Sequence, residues 1–200
     1  MAENLAYMPV DNQFIRQISK KRFSYSGVYV YNYTGNSVVE ATETEEYKKY
    51  GCLYNWDYAN TLCPQDWHLP SDQEWKDLEK FLGMPIEQLN KYTLAERSGG
   101  EVGSHLKSSS ASDWWWDQVP NVLVGDNSSG FNAIAAGKFY ETSRTYLQFN
   151  WEGQDAIFWT SSQEGSEFIA RDLKYGSHGI ARWTVDQKNA FSVRCVKNDI

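Results

Sequence analysis

Between Cys63 and Gly83 the chain reads CPQDWHLPSDQEWKDLEKFLG, a run that leaves little choice in what it can form. Ser71 and Glu74, three residues apart, make a capping box: the serine hydroxyl accepts from the backbone N–H of Glu74, and the carboxylate reaches back to the N–H of Ser71. Pro70 and Trp75 stand where a hydrophobic staple sets the angle of chain entry. Trp75, Leu78, Phe81 and Leu82 then recur at helical spacing, opposite Lys76, Asp77, Glu79 and Lys80, which predicts a helix buried along the first set. Gly83, free to take a left-handed backbone, ends it. Just before the helix, Trp67 and Leu69 alternate around His68 as a short strand does.

The remaining chain is read around this anchor. Leu5 to Ser26 is polar and irregular, and its basic cluster Arg16, Lys20, Lys21 and Arg22 is expected as a solvated face. Gly27 to Tyr33 reads as a strand, and Thr34-Gly35-Asn36 turns it into Ser37-Val38-Val39, a predicted hairpin. Glu43 to Tyr50 is a charged loop or short helix, and Gly51 to Leu62 begins extended and becomes a helix with Trp56, Ala59 and Cys63 on one side. After the anchor, Pro85 opens a second short helix in which Ile86 and Leu89 share a face. Arg97 to Gly130 is rich in glycine and serine, shows little periodicity, and carries Trp114-Trp115-Trp116 among Asp113, Asp117 and Asp126; it is predicted to be a long functional surface loop. Thr145 to Trp151 alternates in strand fashion. Four more strands are predicted near Ala156–Ser161, Glu167–Tyr175, Ile180–Val185 and Phe191–Val196, separated by short turns that imply an antiparallel sheet. Helices early and strands late make an α+β domain, and with no linker or repeat the expectation is one domain over residues 1–200.

The anchor motif, followed in order by Phe158-Trp159-Thr160-Ser161-Ser162 and Phe191-Ser192-Val193-Arg194-Cys195-Val196-Lys197, resembles the Fibrobacter succinogenes major paralogous domain, a family of secreted bacterial modules. Gly130-Phe131-Asn132-Ala133-Ile134 is similar to that family's GFSAL-type motif. Met1-Ala2-Glu3-Asn4-Leu5 is similar to an internal piece of its opening motif, which implies a trimmed chain, exported by a segment it does not contain to the bacterial surface or exterior. The family's pattern resembles in turn the C-type lectin-like fold shared with formylglycine-generating enzymes. That resemblance implies that Arg97–Gly130 is the long loop region of the fold, and that Cys63 and Cys195 form its long-range disulfide between the first helix and the terminal strand, leaving Cys52 free. Closing so long a loop contributes roughly 4–5 kcal/mol by chain entropy. Taken alone, the three cysteines leave three pairings open, Cys52–Cys63 among them, as well as three buried thiols.

A formal charge of −7 and a pI near 5.0 disfavour nucleic acid and anionic membranes as partners, and no apolar run approaches a membrane span. No GxSxG, phosphate loop or HExxH is present. His68, His105 and His178 stand far apart and are expected to be strand or loop residues, His68 a structural one. No cofactor or metal is expected. Val119-Pro120-Asn121 lacks the acid of the tripeptide with which sugar-binding C-type lectins hold calcium, and Asp126–Gly130 is equally a turn. Formylglycine-generating enzymes use a pair of cysteines in their C-terminal lobe, where only Cys195 lies here, so no catalytic residue is assigned.

Two surfaces are candidates for recognition in a chain with 9 Trp and 13 Tyr. One is the loop bearing Trp114, Trp115 and Trp116, whose indoles would stack on sugars or peptide side chains; the competing account packs two of the three into the core. The other is the mixed aromatic and basic set Arg171, Tyr175, His178, Arg182 and Trp183 on the C-terminal sheet. This is where the resemblance to C-type lectin-like variable proteins implies ligand contacts. The expectation is a monomeric, non-enzymatic module that binds a glycan or an extracellular protein. A structural or adhesive surface domain is the alternative, and an enzyme on a formylglycine-generating-like fold the third reading.

Overall fold

The computed structural model describes residues 3–9, 27–35, 37–97, 99–115, 122–143 and 146–199. The basic cluster around Lys20, Trp116 and Val119-Pro120-Asn121 lie outside them. The chain forms an α+β domain in which short helices precede a large, mainly antiparallel sheet. No helix among the described residues is long and apolar enough to cross a membrane.

The first half is built from capped short elements. Strand β1 is Val28–Tyr29, and the chain then turns at Asn32 instead of continuing to Tyr33. Ser37 does not lead into a second hairpin arm. Its hydroxyl accepts from the backbone N–H of Glu40 and starts helix α1, Val38–Glu43, so a cap outranks the β-preference of Val38-Val39. Thr44 caps helix α2, Glu45–Tyr50, which places Glu45 and Glu46 in its first turn and Lys48 and Lys49 in its last, matching the helix dipole. Strand β2, Leu53–Asn55, runs into helix α3, Trp56–Ala59, as predicted. Strand β1 pairs with β2, so the predicted hairpin is replaced by a longer-range pairing.

The anchor forms strand β3, Trp67–His68, and helix α4, Asp72–Phe81, with both halves of the capping box made. Its buried face is the predicted one in part: Trp75 is buried and Leu78 and Leu82 pack against the same core, but Asp72 and Glu79 also point inward and Phe81 is 86% exposed. The reason lies in the sheet opposite. Both oxygens of Asp72 take the Arg182 guanidinium at 2.7 Å, and the carboxylate also accepts from Arg171 at 2.8 Å and Lys76 at 2.7 Å. Glu79 holds Arg97 through two bonds of 2.6 and 2.8 Å and Arg171 Nε at 2.6 Å, with no exposure at either end. Helix α5, Ile86–Leu89, follows Pro85. Only Leu89 is buried and Ile86 faces solvent, another departure from the predicted shared face.

Arg97–Gly130 is less irregular than its composition suggests. It begins at the end of strand β4, Thr93–Arg97, and contains helix α6, Val102–Leu106, and a 3₁₀ turn at Ala111–Asp113. Val102 and Leu106 are buried and hold α6 in the core. Strands β5, Ala136–Ser143, β6, Tyr146–Glu152, β7, Asp155–Glu164, β8, Glu167–Lys174, and β9, Ile180–Val185, complete the larger part of the sheet. The predicted last strand is split into β10, Ala190–Phe191, and β11, Val196–Lys197. The sheet order is β1-β2-β10-β5-β7-β8-β9-β4, with β6 on β5, and β5 meets β7 in parallel at Gly137 and Ala156.

Strand β11 leaves that sheet to pair with β3, Val196 opposite His68 and Lys197 opposite Trp67. Beside it Cys195 is bonded to Cys63, and Cys52 is a buried free thiol. His68 joins the same junction, one ring nitrogen 2.6 Å from Asn198 Oδ1 and the other 2.7 Å from the capping glutamate Glu74.

Replacing Glu79 by Gln leaves Arg97 and Arg171 without their shared anion, and a loss of about 3–5 kcal/mol is expected in denaturant unfolding. A loss below 1 kcal/mol would show that the pair is dispensable. Reduction of Cys63–Cys195, which spans 132 residues, is expected to lower stability by about 5 kcal/mol, read as a drop in the chemical midpoint with dithiothreitol present.

Candidate functional site

Of the eight residues singled out from sequence, Trp116 lies outside the described residues, and the other seven do not come together at one surface. Arg171 and Arg182 are buried in the ion network under α4, with 0% and 3% exposure, so they are not outward-facing contacts. Every second residue of a strand faces the same side, and in β8 and β9 that side carries both arginines onto Asp72 and Glu79. Trp183 is half-buried against Phe191, and Tyr175 is half-buried against the apolar cluster around Trp75 and Leu173. His178 is exposed, and its Nδ1 meets the Ser104 hydroxyl. Trp114 is buried, its ring 5.0 Å from the Lys107 ammonium.

Trp115 is the indole of the described pair that reaches solvent, at 39% exposure. Its backbone N–H donates to Gly153 O at 2.8 Å, and its ring lies against the bare Cα of Gly153, where a Cβ would sit 2.5 Å from Trp115 Nε1. Gly153 belongs to the turn between β6 and β7. The loop is tied to this end of the sheet a second time: Leu123 N–H donates to Tyr175 O at 2.9 Å, and Tyr175 N–H to Gln154 O at 2.7 Å. Lys107 Nζ, aimed at Leu123 O and Ser177 O, pulls the same strands together from below.

Two residues before Gly153, Trp151 presents a second indole, 38% exposed. Its φ is +65°, a left-handed backbone that a bulky aromatic residue rarely adopts. Strand β5 makes room for it at Gly137, where a Cβ would come within 2.3 Å of Asn150 O and 2.8 Å of the Trp151 carbonyl carbon. The distortion is thus built into both strands. A strained backbone held by its surroundings is a common mark of a functional position.

Beneath Trp151 lies Lys138 of β5. Its ammonium is 3.4 Å from the centre of the Trp151 ring and 4.6 Å from that of Tyr140. Two carboxylates share the neighbourhood: Asp155, which pairs across the ladder with Lys174, and Asp172, whose oxygen lies 3.4 Å from Lys174 Nζ. Both acids are buried. Burial, reinforced by Asp172, pushes the Asp155 carboxyl up to about 8, against the opposing pull of Lys174 and Lys138. Burial likewise pushes Lys138 down to about 8, with Asp155 and Asp172 resisting. Burial thus disfavours the charged form of both groups, which lie close enough to affect each other.

Sequence reasoning missed Trp151, Lys138, Asp155, Asp172 and Lys174. The only local signal was Trp151-Glu152-Gly153-Gln154-Asp155, which reads as an ordinary hairpin turn.

Other polar clusters are closed on themselves. Asp126 accepts from Ser128 N–H at 2.8 Å, and both side chains face His105 Nδ1, at 3.1 and 2.8 Å. Among the described residues no group of three or more His, Cys, Asp or Glu is placed to hold a metal ion. A family model described as Fibrobacter succinogenes major domain matches residues 1–197. No curated protein and no solved structure matches the chain.

The acid at Asp155 sets a pH dependence. Its folded pKa lies above the unfolded value, so the folded state holds the extra proton and stability falls as pH rises from the ordinary carboxylate range to about 8. Asp155→Asn removes that fall. The variant should match the wild type near pH 5 and exceed it by on the order of 2 kcal/mol near pH 8.5. Superimposable stability profiles of the two proteins from pH 5 to 8.5 contradict the assignment.

Proposed function

The chain belongs to the Fibrobacter succinogenes major domain family, and from that premise we propose that it is a non-enzymatic recognition module of the bacterial surface or exterior, which binds a glycan through Trp115 and Trp151. The observation that carries this reading is a pair of half-exposed indoles, Trp115 packed from the long loop onto Gly153 and Trp151 two residues before that glycine in a strained backbone. Sugar rings present flat C–H faces that stack on indoles, and their hydroxyls need donors and acceptors at the ring edge. Here the Lys138 ammonium lies over the Trp151 ring, with the Asp155 and Asp172 carboxyls near enough to act on it electrostatically.

A C-type lectin-like architecture is part of the same proposal. In its favour are the Cys63–Cys195 bridge from the helical half to the terminal strands, and a long loop region between α5 and the central strands that supplies Trp115. The bridge also favours an oxidising compartment, as expected of an exported module. An oxidase of the formylglycine-generating type needs a reactive cysteine pair. Cys195 is bonded to Cys63, and burial pushes the remaining thiol, Cys52, up to about 12, too weakly acidic to serve as a nucleophile.

The test is an array of plant, bacterial and host glycans probed with the wild type and with Trp151→Ala and Trp115→Ala. Wild-type binding reduced about tenfold or more by either substitution, with far-UV circular dichroism unchanged, is the expected result; tenfold corresponds to about 1.4 kcal/mol of lost stacking. A blank array, or binding indifferent to both tryptophans, removes this reading and favours a purely architectural domain or a protein ligand.

A further inference from the structure

Asp113, two residues before Trp115 in the chain, lines a cleft of about 350 Å³ whose walls also include Asn4, Tyr47, Lys49, Tyr50 and Arg194. We propose that this cleft is a second subsite for the same ligand, which makes that ligand an oligosaccharide and not a single sugar. The inference rests on the glycan reading and adds to it the length of the ligand.

Continuity between the two places is set by the chain. Asp113 lines the cleft and Trp115 follows it by two residues, so their Cα atoms are within about 7 Å. The carbonyl of Asp113 accepts from Ala135 N–H at 3.3 Å, and the carbonyl of Ala135 accepts from Gly153 N–H at 2.8 Å, the residue on which Trp115 lies. On the other side, Tyr50 of the cleft interacts with Glu152, the neighbour of Trp151. The turn between β6 and β7, on which Trp115 packs, is therefore linked through hydrogen bonds to the wall of the cleft.

The lining suits a hydroxyl-rich unit. The cleft falls within the roughly 300–1,000 Å³ of small-ligand sites, but its walls are mostly polar and of both charges. Those side chains are already fixed. Arg194 donates to Asn4 Oδ1 at 2.8 Å and to the carbonyls of Phe131 and Asn132; Lys49 donates to Ser112 O at 2.8 Å; Asp113 accepts from Ser108 Oγ at 2.6 Å. Such a surface loses little side-chain entropy when it hydrogen-bonds a ligand. The indoles would take the apolar face of one ring, and the cleft the hydroxyls of the next. A second contact made through a covalent linkage is intramolecular, so it raises affinity far beyond the monosaccharide's own.

The experiment measures binding of β-1,4-linked glucose and N-acetylglucosamine series, from one unit to six, by ligand-observed NMR and calorimetry. The wild type, Trp151→Ala, Lys49→Ala and Lys48→Ala are compared, the last two each removing a donor from the cleft wall. The expected result is that the wild type binds oligomers at least tenfold more tightly than the monosaccharide. Lys49→Ala and Lys48→Ala should bring oligomers down towards the monosaccharide value without changing the monosaccharide's own affinity, and Trp151→Ala should weaken both. Equal affinity for one unit and for six, or a length dependence untouched by the two lysine variants, overturns the subsite and spares the glycan reading. No binding by the wild type to either series or to arrayed glycans overturns both. Unchanged thermal midpoints of the variants exclude loss through unfolding.

Discussion

Two carboxylates on one face of a ten-residue helix hold this domain in register. Asp72 and Glu79 are buried, and each is wrapped by guanidinium groups from strands that lie far away in sequence. Removing charges from water is costly, and the cost is offset here only because nearly every oxygen has short, charge-assisted partners. The consequence is geometric. Arg171 joins both acids, Arg182 joins Asp72 and Arg97 joins Glu79, so β4, β8 and β9 cannot shift against α4 without uncovering a charge. Arg182 is further packed on Tyr92, its guanidinium 3.8 Å from the ring centre.

The same strand that anchors the helix supplies the far side of the candidate site. Along β8, Arg171 and Leu173 turn toward α4 and its apolar neighbours, and Asp172 and Lys174 turn the other way, as strand alternation requires. Fixing β8 by its arginine thus fixes the carboxylate and ammonium on its opposite face. On β5 and β6 the geometry is set by different means: Gly137 and Trp151 both take positive φ, and the bare Cα of the glycine admits the displaced strand. The indole of Trp151 is thereby supported from below by Lys138. Trp115 arrives from the long loop and closes on Gly153.

Much of the local structure was legible. The capping box at Ser71 and Glu74, the strand at Trp67–His68, the extended-to-helical change at Asn55–Trp56 and three of the four late strands all follow from side-chain chemistry acting over a few residues. The Cys63–Cys195 bridge followed from family resemblance, since spacing alone left the pairing open. Most of the failures concern partners far away in the fold. Glu79 was placed on the solvent side and Phe81 on the buried side because a helical pattern weighs hydrophobicity and cannot see three arginines waiting across the domain. Arg171 and Arg182 were taken as surface residues for the same reason. Ser37 was read as a strand residue because the neighbouring valines outweighed its cap.

The sequence by itself determined where the chain forms helices and strands around its anchor, because caps, turns and alternation act between neighbours. It also marked the tryptophan-bearing loop as unusual. Only the tertiary structure decided that Trp115 reaches solvent and Trp114 does not, that Trp115 packs on the turn that follows Trp151, and that Arg171 and Arg182 are buried in ion pairs. Each of these depends on what lies opposite a side chain across the sheet, and burial or charge pairing between residues some hundred positions apart leaves no periodic trace in the chain.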